Sequence, residues 1–538
     1  GDFLFMKKSL NYLLMASLVF GGMIVCQQQK KEEFSKIIYE DSTVASMISG
    51  AKSIDDETLS VSVRLNSDEF YFRERKEKES VETYKQEKLK VAKAFFQKKN
   101  EQFLKENPLS DELNVYVSKY GPFITFTAQE KDDVAYTISN LEKQPEVEEI
   151  VVSLQPKYKP NLEMSKYAVG VRDYVVNQTY TGQGVTVGIL EPGIVKENHE
   201  NLKDVDLEVR REWYYIETET DHATIMASII AGKYGVAPDV KLLSVELNGT
   251  PESEIDWLLD RNVDVINMSY GDTNPTGIYS SKSAYIDFIV NTYGVMCVIS
   301  TGNNGGNVAN PGLAYNALSI GACQANDYGI LTDFSNYVVK EGPKKPNIVA
   351  PGDCMNVKPF GGQDGTSVSA ALTTACIALL MEIEPSLKLH PERIIALLSA
   401  SASTFSINTF GKFDDKSGTG MLNFEQALDA MYNALFRHNT STNYIRSSFT
   451  VQLRQNDVLR VCLAWLAKAD GNAKNTCFTN YDLSVFNSDD EMIATSSFTD
   501  NNVEFIEVRA QKDDTYRIEM YQSGPKVQND RIALYYSF

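Results

Sequence analysis

Histidine is scarce in this chain, four residues in 538, so a reaction needing a side-chain base near neutral pH has few candidates to draw on. Cysteine is nearly as sparse, at seven. Setting Cys26 aside, only Cys462 and Cys477 are placed for a local bridge, while Cys297 and Cys376 lie in apolar runs and read as buried thiols. Basic residues are in deficit, 52 against 72 acidic ones, for a net charge of −20. That balance argues against a general nucleic-acid binder, and neither an internal repeat nor a nucleic-acid motif stands out. What the chain does have is 43% hydrophobic content, ample for cores in two to four domains.

The apolar run from about 13 to 25 is short for a membrane span. It follows Lys7-Lys8 and ends at Cys26, before Gln27-Gln28-Gln29-Lys30. The order reads as a secretory signal over 1–26 with its true start at Met6, so a secreted or cell-envelope-attached, bacterial protein is expected. Cys26 is a lipidation candidate and the route by which the protein would be anchored to a membrane. Met23-Ile24-Val25 departs from the small residues usual before a lipidated cysteine. Residues 27–56 are polar and aperiodic and read as a tether.

Over 57–157 the pattern is compact. Val61, Val63 and Leu65 alternate as in a half-buried strand. A charged helix is predicted over 80–107, with Leu89, Ala92, Phe96 and Phe103 on one face and Pro108 beyond its end. Strands at Val115-Val117 and Ile124-Phe126 flank Gly121-Pro122, and a helix over 131–143 leads to a strand at 149–152. The order βαββαβ is that of a ferredoxin-like α+β domain.

Over 160–437 apolar strand-like runs alternate with helical ones. The runs 184–190, 240–245, 263–267 and 295–300 are continuously apolar, as in strands buried on both faces. An α/β fold with a mostly parallel sheet flanked by helices follows, and reactive groups in such sheets collect at the carboxyl ends of the strands. After a polar linker around 438–443, short alternating strands run from 443 to 538 and predict an all-β, jelly-roll-like sandwich.

Among the histidines, His199 lies in a polar loop, His390 precedes a proline at a helix start, and His438 sits in the linker. His222 opens a helical segment followed by Gly235-Val236-Ala237-Pro238. Downstream come Val265-Ile266-Asn267-Met268-Ser269-Tyr270-Gly271, Ser300-Thr301-Gly302-Asn303, Ala350-Pro351-Gly352 and Gly365-Thr366-Ser367. The last stands where a loop turns into a long apolar helix, whose amino end offers unpaired N–H groups and partial positive charge to a developing oxyanion. Five segments in this order resemble the subtilisin-like serine proteases, over about half the chain.

The resemblance implies an endopeptidase made as a precursor, with 57–157 as an inhibitory propeptide whose carboxyl end lies in the cleft and is cut first near Lys157 to Glu163. It implies Ser367 as nucleophile, His222 as general base and Asn303 as oxyanion donor beside the Ser367 N–H. Removing such a donor costs ~10²–10³ in turnover, a magnitude established for this family. Ser269, Tyr270 and Gly271 would pair with substrate as an added strand, and Ser300, Thr301 and Gly302 would line the pocket beside the scissile bond. No cofactor is implied for catalysis; the partners implied are a peptide or protein substrate and the chain's own propeptide.

Three positions depart from the family. Glu191 stands where aspartate is usual, with a side chain longer by roughly 1.5 Å; misplacement of about 1 Å can cost ~10²-fold in rate. Ala223 replaces a glycine after the histidine, and Ala371 a proline near the serine. These departures also admit a pseudoprotease that binds peptides without turnover. Asp221 is a poor substitute for the acid, since helix neighbours point apart. Acidic and amide side chains in the carboxyl-terminal loops, around Asp500-Asn501-Asn502, are candidate calcium ligands.

Overall fold

The computed structural model describes residues 36–39, 59–67, 70–76, 78–110, 113–128, 131–154, 171, 179–211, 217–249, 251–324, 330–353, 355–357, 360–404, 411–469 and 477–538. The predicted signal with Cys26, most of the tether, Cys354 and the expected first cut lie outside the described residues.

Alternation at Val61, Val63 and Leu65 turns one face of a strand inward. The small amino-terminal unit comprises β1 (Ile37–Tyr39), β2 (Leu59–Leu65), α1 (Val81–Glu106), β3 (Asn114–Val117), β4 (Phe123–Ala128), α2 (Lys131–Leu141) and β5 (Val147–Leu154). Ser80 caps α1 by accepting from Thr83 N at 3.0 Å. The sheet order is β1-β5-β2-β4-β3. Its edge strand falls in the stretch read as tether: Ile37 to Tyr39 pair in parallel with Ile150 to Val152. Three residues are too short a run to show a period.

Next come β6 (Thr186–Glu191), β7 (Leu207–Val209), α3 (Asp221–Ile230), β8 (Lys241–Glu246), α4 (Glu252–Leu259), β9 (Val265–Met268), α5 (Ser281–Tyr293), β10 (Met296–Ser300), β11 (Leu318–Cys323) and β12 (Ile348–Pro351). A hairpin of β13 (Met355–Val357) and β14 (Gly361–Gln363) precedes α6 (Thr366–Ile383), α7 (Pro391–Ser401) and α8 (Phe424–Ala430). Seven strands form one parallel sheet in the order β12-β11-β10-β9-β6-β8-β7. Strands β9, β10 and β11 are buried throughout, which is why they read as unbroken apolar runs. The chain reverses its direction of travel across the sheet at β6, so a crevice opens at the carboxyl ends of β6 and β9. Helix α6 is buried from Thr366 to Met381 and runs through the core rather than over the surface.

The small unit docks on α4 and the turn after it. Asp256 accepts from Tyr116 Oη at 2.6 Å, Ser118 Oγ at 3.0 Å and Lys119 N at 2.5 Å. Lys85, on α1, is buried and donates to the Asn262 and Val263 carbonyls at 3.0 and 2.6 Å and to Asp264 Oδ1 at 2.8 Å. Phe96, Tyr120 and Phe123 share a core with Tyr285, Tyr293 and the apolar face of α4.

The carboxyl-terminal strands are β15 (Ala434–Asn439), β16 (Arg446–Leu453), β17 (Val458–Trp465), β18 (Tyr481–Phe486), β19 (Met492–Ser496), β20 (Val503–Arg509), β21 (Asp514–Gln522) and β22 (Asp530–Ser537). They form two antiparallel sheets, β15-β22-β17-β20 and β16-β21-β18-β19. The sandwich thus starts at Ala434, inside the stretch read as peptidase domain and linker. Arg437 and His438 are exposed on this edge strand, so it reads as polar linker. Cys462 and Cys477 are not joined to each other by a disulfide. Cys462 is buried in the core shared with α6 and α7, and Cys477 pairs its backbone with Lys468, so the expected local bridge is not formed.

A buried charge pair inside the sandwich ties it to the α/β layer through the further bonds that Arg460 makes. Arg460 on β17 meets Glu507 on β20 and reaches the Ala400 carbonyl at 3.2 Å and Thr404 Oγ1 at 3.0 Å. Both charged side chains are nearly inaccessible, so removing one strands the other. Arg460→Ala should lower unfolding free energy by roughly 3–5 kcal/mol, read as a lower denaturant midpoint. Replacing both partners with apolar residues of similar volume should recover most of the loss.

Candidate active site

Thr220 accepts from Ala223 N at 3.2 Å and thereby caps α3, which holds His222 in the first helical turn. Glu191 ends β6, and His222 Nδ1 lies 3.3 Å from its Oε2. The approach is within ion-pair distance but lacks the alignment of a hydrogen bond, and neither ring nitrogen has a protein hydrogen-bond partner. Both side chains are buried. Asp221, next in sequence, turns outward to Lys196 at 2.7 Å, as expected of helix neighbours.

The extra methylene of Glu191 is put to use by the next strand. Its Oε1 accepts from Ser269 N at 2.9 Å and Asn267 Nδ2 at 3.0 Å. Asn267 is held in turn by Thr374 of α6, whose Oγ1 donates to Asn267 Oδ1 at 3.1 Å. Ser269 then connects to the serine: its Oγ donates to the Ser367 carbonyl at 2.9 Å, and Ser367 Oγ donates to the Ser269 carbonyl at 3.2 Å. The acid, the histidine and the serine therefore belong to one cluster with Ser269 as its hinge. The Ser367 hydroxyl points to Ser269 rather than to His222.

Asn303 lies across from Ser367. Its Oδ1 accepts from Thr366 N at 2.9 Å and Thr366 Oγ1 at 2.8 Å, which fixes the amide beside the amino end of α6. Gly302 N donates to the same Thr366 Oγ1 at 3.1 Å. Gly302 has φ +106, and a Cβ there would lie 2.4 Å from Asn336 Nδ2, so only glycine fits. Asn336, buried, accepts from Asn304 N and Gly306 N at 2.8 and 3.2 Å and shapes this loop.

Ser300 and Thr301 are buried at the end of β10, and Tyr270 is buried just after β9; these two short rails run side by side. Thr366, Asn267, Asn336 and Thr374 were not singled out from the sequence. Thr366 and Asn267 sit inside the Gly365-Thr366-Ser367 and Val265-to-Gly271 runs and had a signal; Asn336 and Thr374 lie outside those runs and had none. The remaining histidines are elsewhere: His199 stacks on Phe360, His390 Nδ1 is 2.7 Å from Glu392, and His438 is 3.8 Å from Glu74.

No group of three or more His, Cys, Asp or Glu side chains converges among the described residues. In the loop considered for calcium, Asn501 and Asn502 donate through Nδ2 to the Val503 and Trp465 carbonyls at 2.8 and 2.7 Å.

Shortening Glu191 to aspartate would pull its carboxylate off two buried donors, Ser269 N and Asn267 Nδ2. Glu191→Asp should therefore destabilise the fold by about 1–3 kcal/mol, measured by urea unfolding against the parent. An unchanged midpoint would show that the Oε1 contacts contribute nothing.

Residues 182–428, just under half the chain, match the profile described as the subtilase family. The minor extracellular protease Vpr of Bacillus subtilis (strain 168) is 29% identical over 229 residues, covering 37% of this chain and 27% of that protein. Subtilisin E of the same organism is 28% identical over 239 residues, covering 39% of this chain and 58% of that one. Among solved structures, fervidolysin from Fervidobacterium pennivorans is 17% identical with a TM-score of 0.47, covering 86% of this chain and 69% of that chain. The prenylagaramide maturation protease PagA is 26% identical with a TM-score of 0.40, covering 48% and 98%. The chain thus spans only part of the curated relatives it matches. Over residues 182–428 it carries a domain of the subtilase family, whose members at family level are serine endopeptidases.

Proposed function

We propose that this protein is a secreted serine endopeptidase, made as a precursor that its own amino-terminal unit inhibits. The observation that carries the reading is the hinge at Ser269, which gathers Glu191, His222 and Ser367 at the buried amino end of α6. In the reaction, the Ser367 hydroxyl turns from the Ser269 carbonyl toward His222 Nε2. Oγ attacks the scissile carbonyl carbon while the imidazole takes its proton, and Glu191 stabilises the resulting imidazolium. The tetrahedral oxyanion accepts from Asn303 Nδ2 and the Ser367 N–H. Collapse expels the amine, which receives the proton from His222; water then hydrolyses the acyl-enzyme by the same route.

A second reading is favoured by one observation. His222 Nε2 has no protein partner and the Ser367 hydroxyl is bonded elsewhere, as a peptide binder without turnover would also allow. Catalytic hydrogen bonds are often unformed before substrate arrives, so the endopeptidase reading stands first. A fluorophosphonate probe should label Ser367 in the mature protein and leave Ser367→Ala unlabelled. No labelling after removal of the amino-terminal unit would favour the peptide binder.

Maturation is read as a first cut between Lys157 and Glu163, followed by release of the docked unit. Burial pushes Asp256 up to about 6, outweighing its hydrogen bonds from Tyr116, Lys119 and Ser118. Once undocked, a solvated aspartate returns to about 4. Docking therefore takes up a proton, and this contribution to the complex is lost as pH rises from the ordinary aspartate range through about 6. The cut but unreleased complex should dissociate faster at about pH 8 than at about pH 5, followed by the appearance of activity, and Asp256→Asn should flatten that difference.

A further inference from the structure

We infer that this site cleaves after small residues, taking a glycine, alanine or serine on the amino side of the scissile bond, because Ala309 closes the space beneath it. The inference rests on the peptidase reading above. Ser269 touches Ser367 and Asn303 directly follows Gly302, so a scissile carbonyl held between Ser367 and Asn303 sits over the gap between the rails 269–271 and 300–302. The side chain of that residue must descend into the gap.

Both rails present a glycine there, which alone would leave room for a large group. The room is taken by one methyl. A Cβ built on Gly271 would lie 2.6 Å from Ala309 Cβ, and one built on Gly302 would lie 3.8 Å from the same atom. Ala309 is thus in contact range of both walls and is itself buried.

The floor cannot withdraw, since it is bonded to each rail. Ala309 N donates to the Thr301 carbonyl at 3.1 Å, and the Asn310 carbonyl accepts from Asp272 N at 3.1 Å. Asn310 is pinned from behind by Ser283, whose Oγ donates to Asn310 Oδ1 at 2.7 Å, and by its own Nδ2 bond to the Ile278 carbonyl at 3.0 Å. On the far side Asn336 Nδ2 is committed to the Asn307 carbonyl at 2.7 Å. An aromatic or long aliphatic side chain would have to break these bonds or stay outside. The chain's own first cut is exempt, because an intramolecular substrate is present at high effective concentration and tolerates a poor fit.

The test uses the mature enzyme, titrated with the fluorophosphonate probe, and peptide substrates that differ only at the residue before the scissile bond. Alanine should exceed phenylalanine in kcat/KM by roughly 10–200-fold, the range a filled pocket can impose. Ala309→Gly should erase most of that ratio by raising phenylalanine cleavage, and Ala309→Val should depress alanine cleavage while leaving labelling of Ser367 intact. A labelled parent that cleaves after phenylalanine as well as after alanine overturns the inference alone. A labelled Ala309→Gly variant with an unchanged ratio does the same. A parent that neither labels nor cleaves overturns the peptidase reading, and the inference with it.

Discussion

Everything at the site depends on how the backbone just after β9 is held, and a single residue holds it. The Ser269 amide is fixed by Glu191 from the end of the neighbouring strand, and its carbonyl and hydroxyl both engage Ser367. These bonds are buried, where an unpaired donor or acceptor costs about 1–3 kcal/mol, so the three elements that meet here cannot drift independently. The parallel sheet supplies the coarse placement, since β6 and β9 are adjacent and end on the same side. The fine placement comes from side chains that bridge strand ends to the start of α6. Glutamate suits this arrangement better than its usual shorter counterpart would. One oxygen is committed to Ser269 and Asn267 while the other faces the imidazole, a division of labour that the added reach makes feasible.

The layers around the site are bound to it with different chemistry. The carboxyl-terminal sandwich is joined through a continuous apolar core and the Arg460–Glu507 pair, so it belongs to the folded body and not to an appended module. The amino-terminal unit is joined through a mixed surface in which carboxylates of α4 and its following turn receive donors from the unit. Burying charge in this way is costly unless each is paired. Such an interface holds well when complete and loses strength once any part is cut or ionised. A firm seam on one side and a conditional one on the other are what the proposed release of the amino-terminal unit would require.

The sequence made the parallel sheet legible because strands buried on both faces leave unbroken apolar runs, as at 263–267 and 295–300. Helix α1 was legible from Ser80 and the spacing of Leu89, Ala92, Phe96 and Phe103. Two elements escaped. The edge strand at Ile37–Tyr39 is too short to carry a period, and Ala434–Asn439 exposes Arg437 and His438 because it is an edge. At the site, Ser367, His222, Asn303 and Glu191 were all marked by local runs of residues. Asn267, Asn336 and Thr374 act by orienting others across the fold, and no spacing along the chain encodes that. Ala309 is the plainest case: an alanine in a loop means nothing until two glycines are found facing it.

The resting state of the histidine follows from the same geometry. With neither ring nitrogen hydrogen-bonded to protein, the imidazole bears a penalty that, in the proposed mechanism, a turn of the Ser367 hydroxyl relieves at Nε2. That turn gives up the bond to the Ser269 carbonyl, which is itself buried and then left short of a donor. The two arrangements exchange one buried hydrogen bond for another and so lie close in energy, each bond contributing about 1 kcal/mol net. On the proposed function, a peptide strand laid along 269–271 would shift the balance by crowding the hydroxyl and excluding water. Alignment of base and nucleophile is then tied to occupancy of the cleft. In the proposed peptidase, the serine would stay unactivated until a chain is in place to receive the attack.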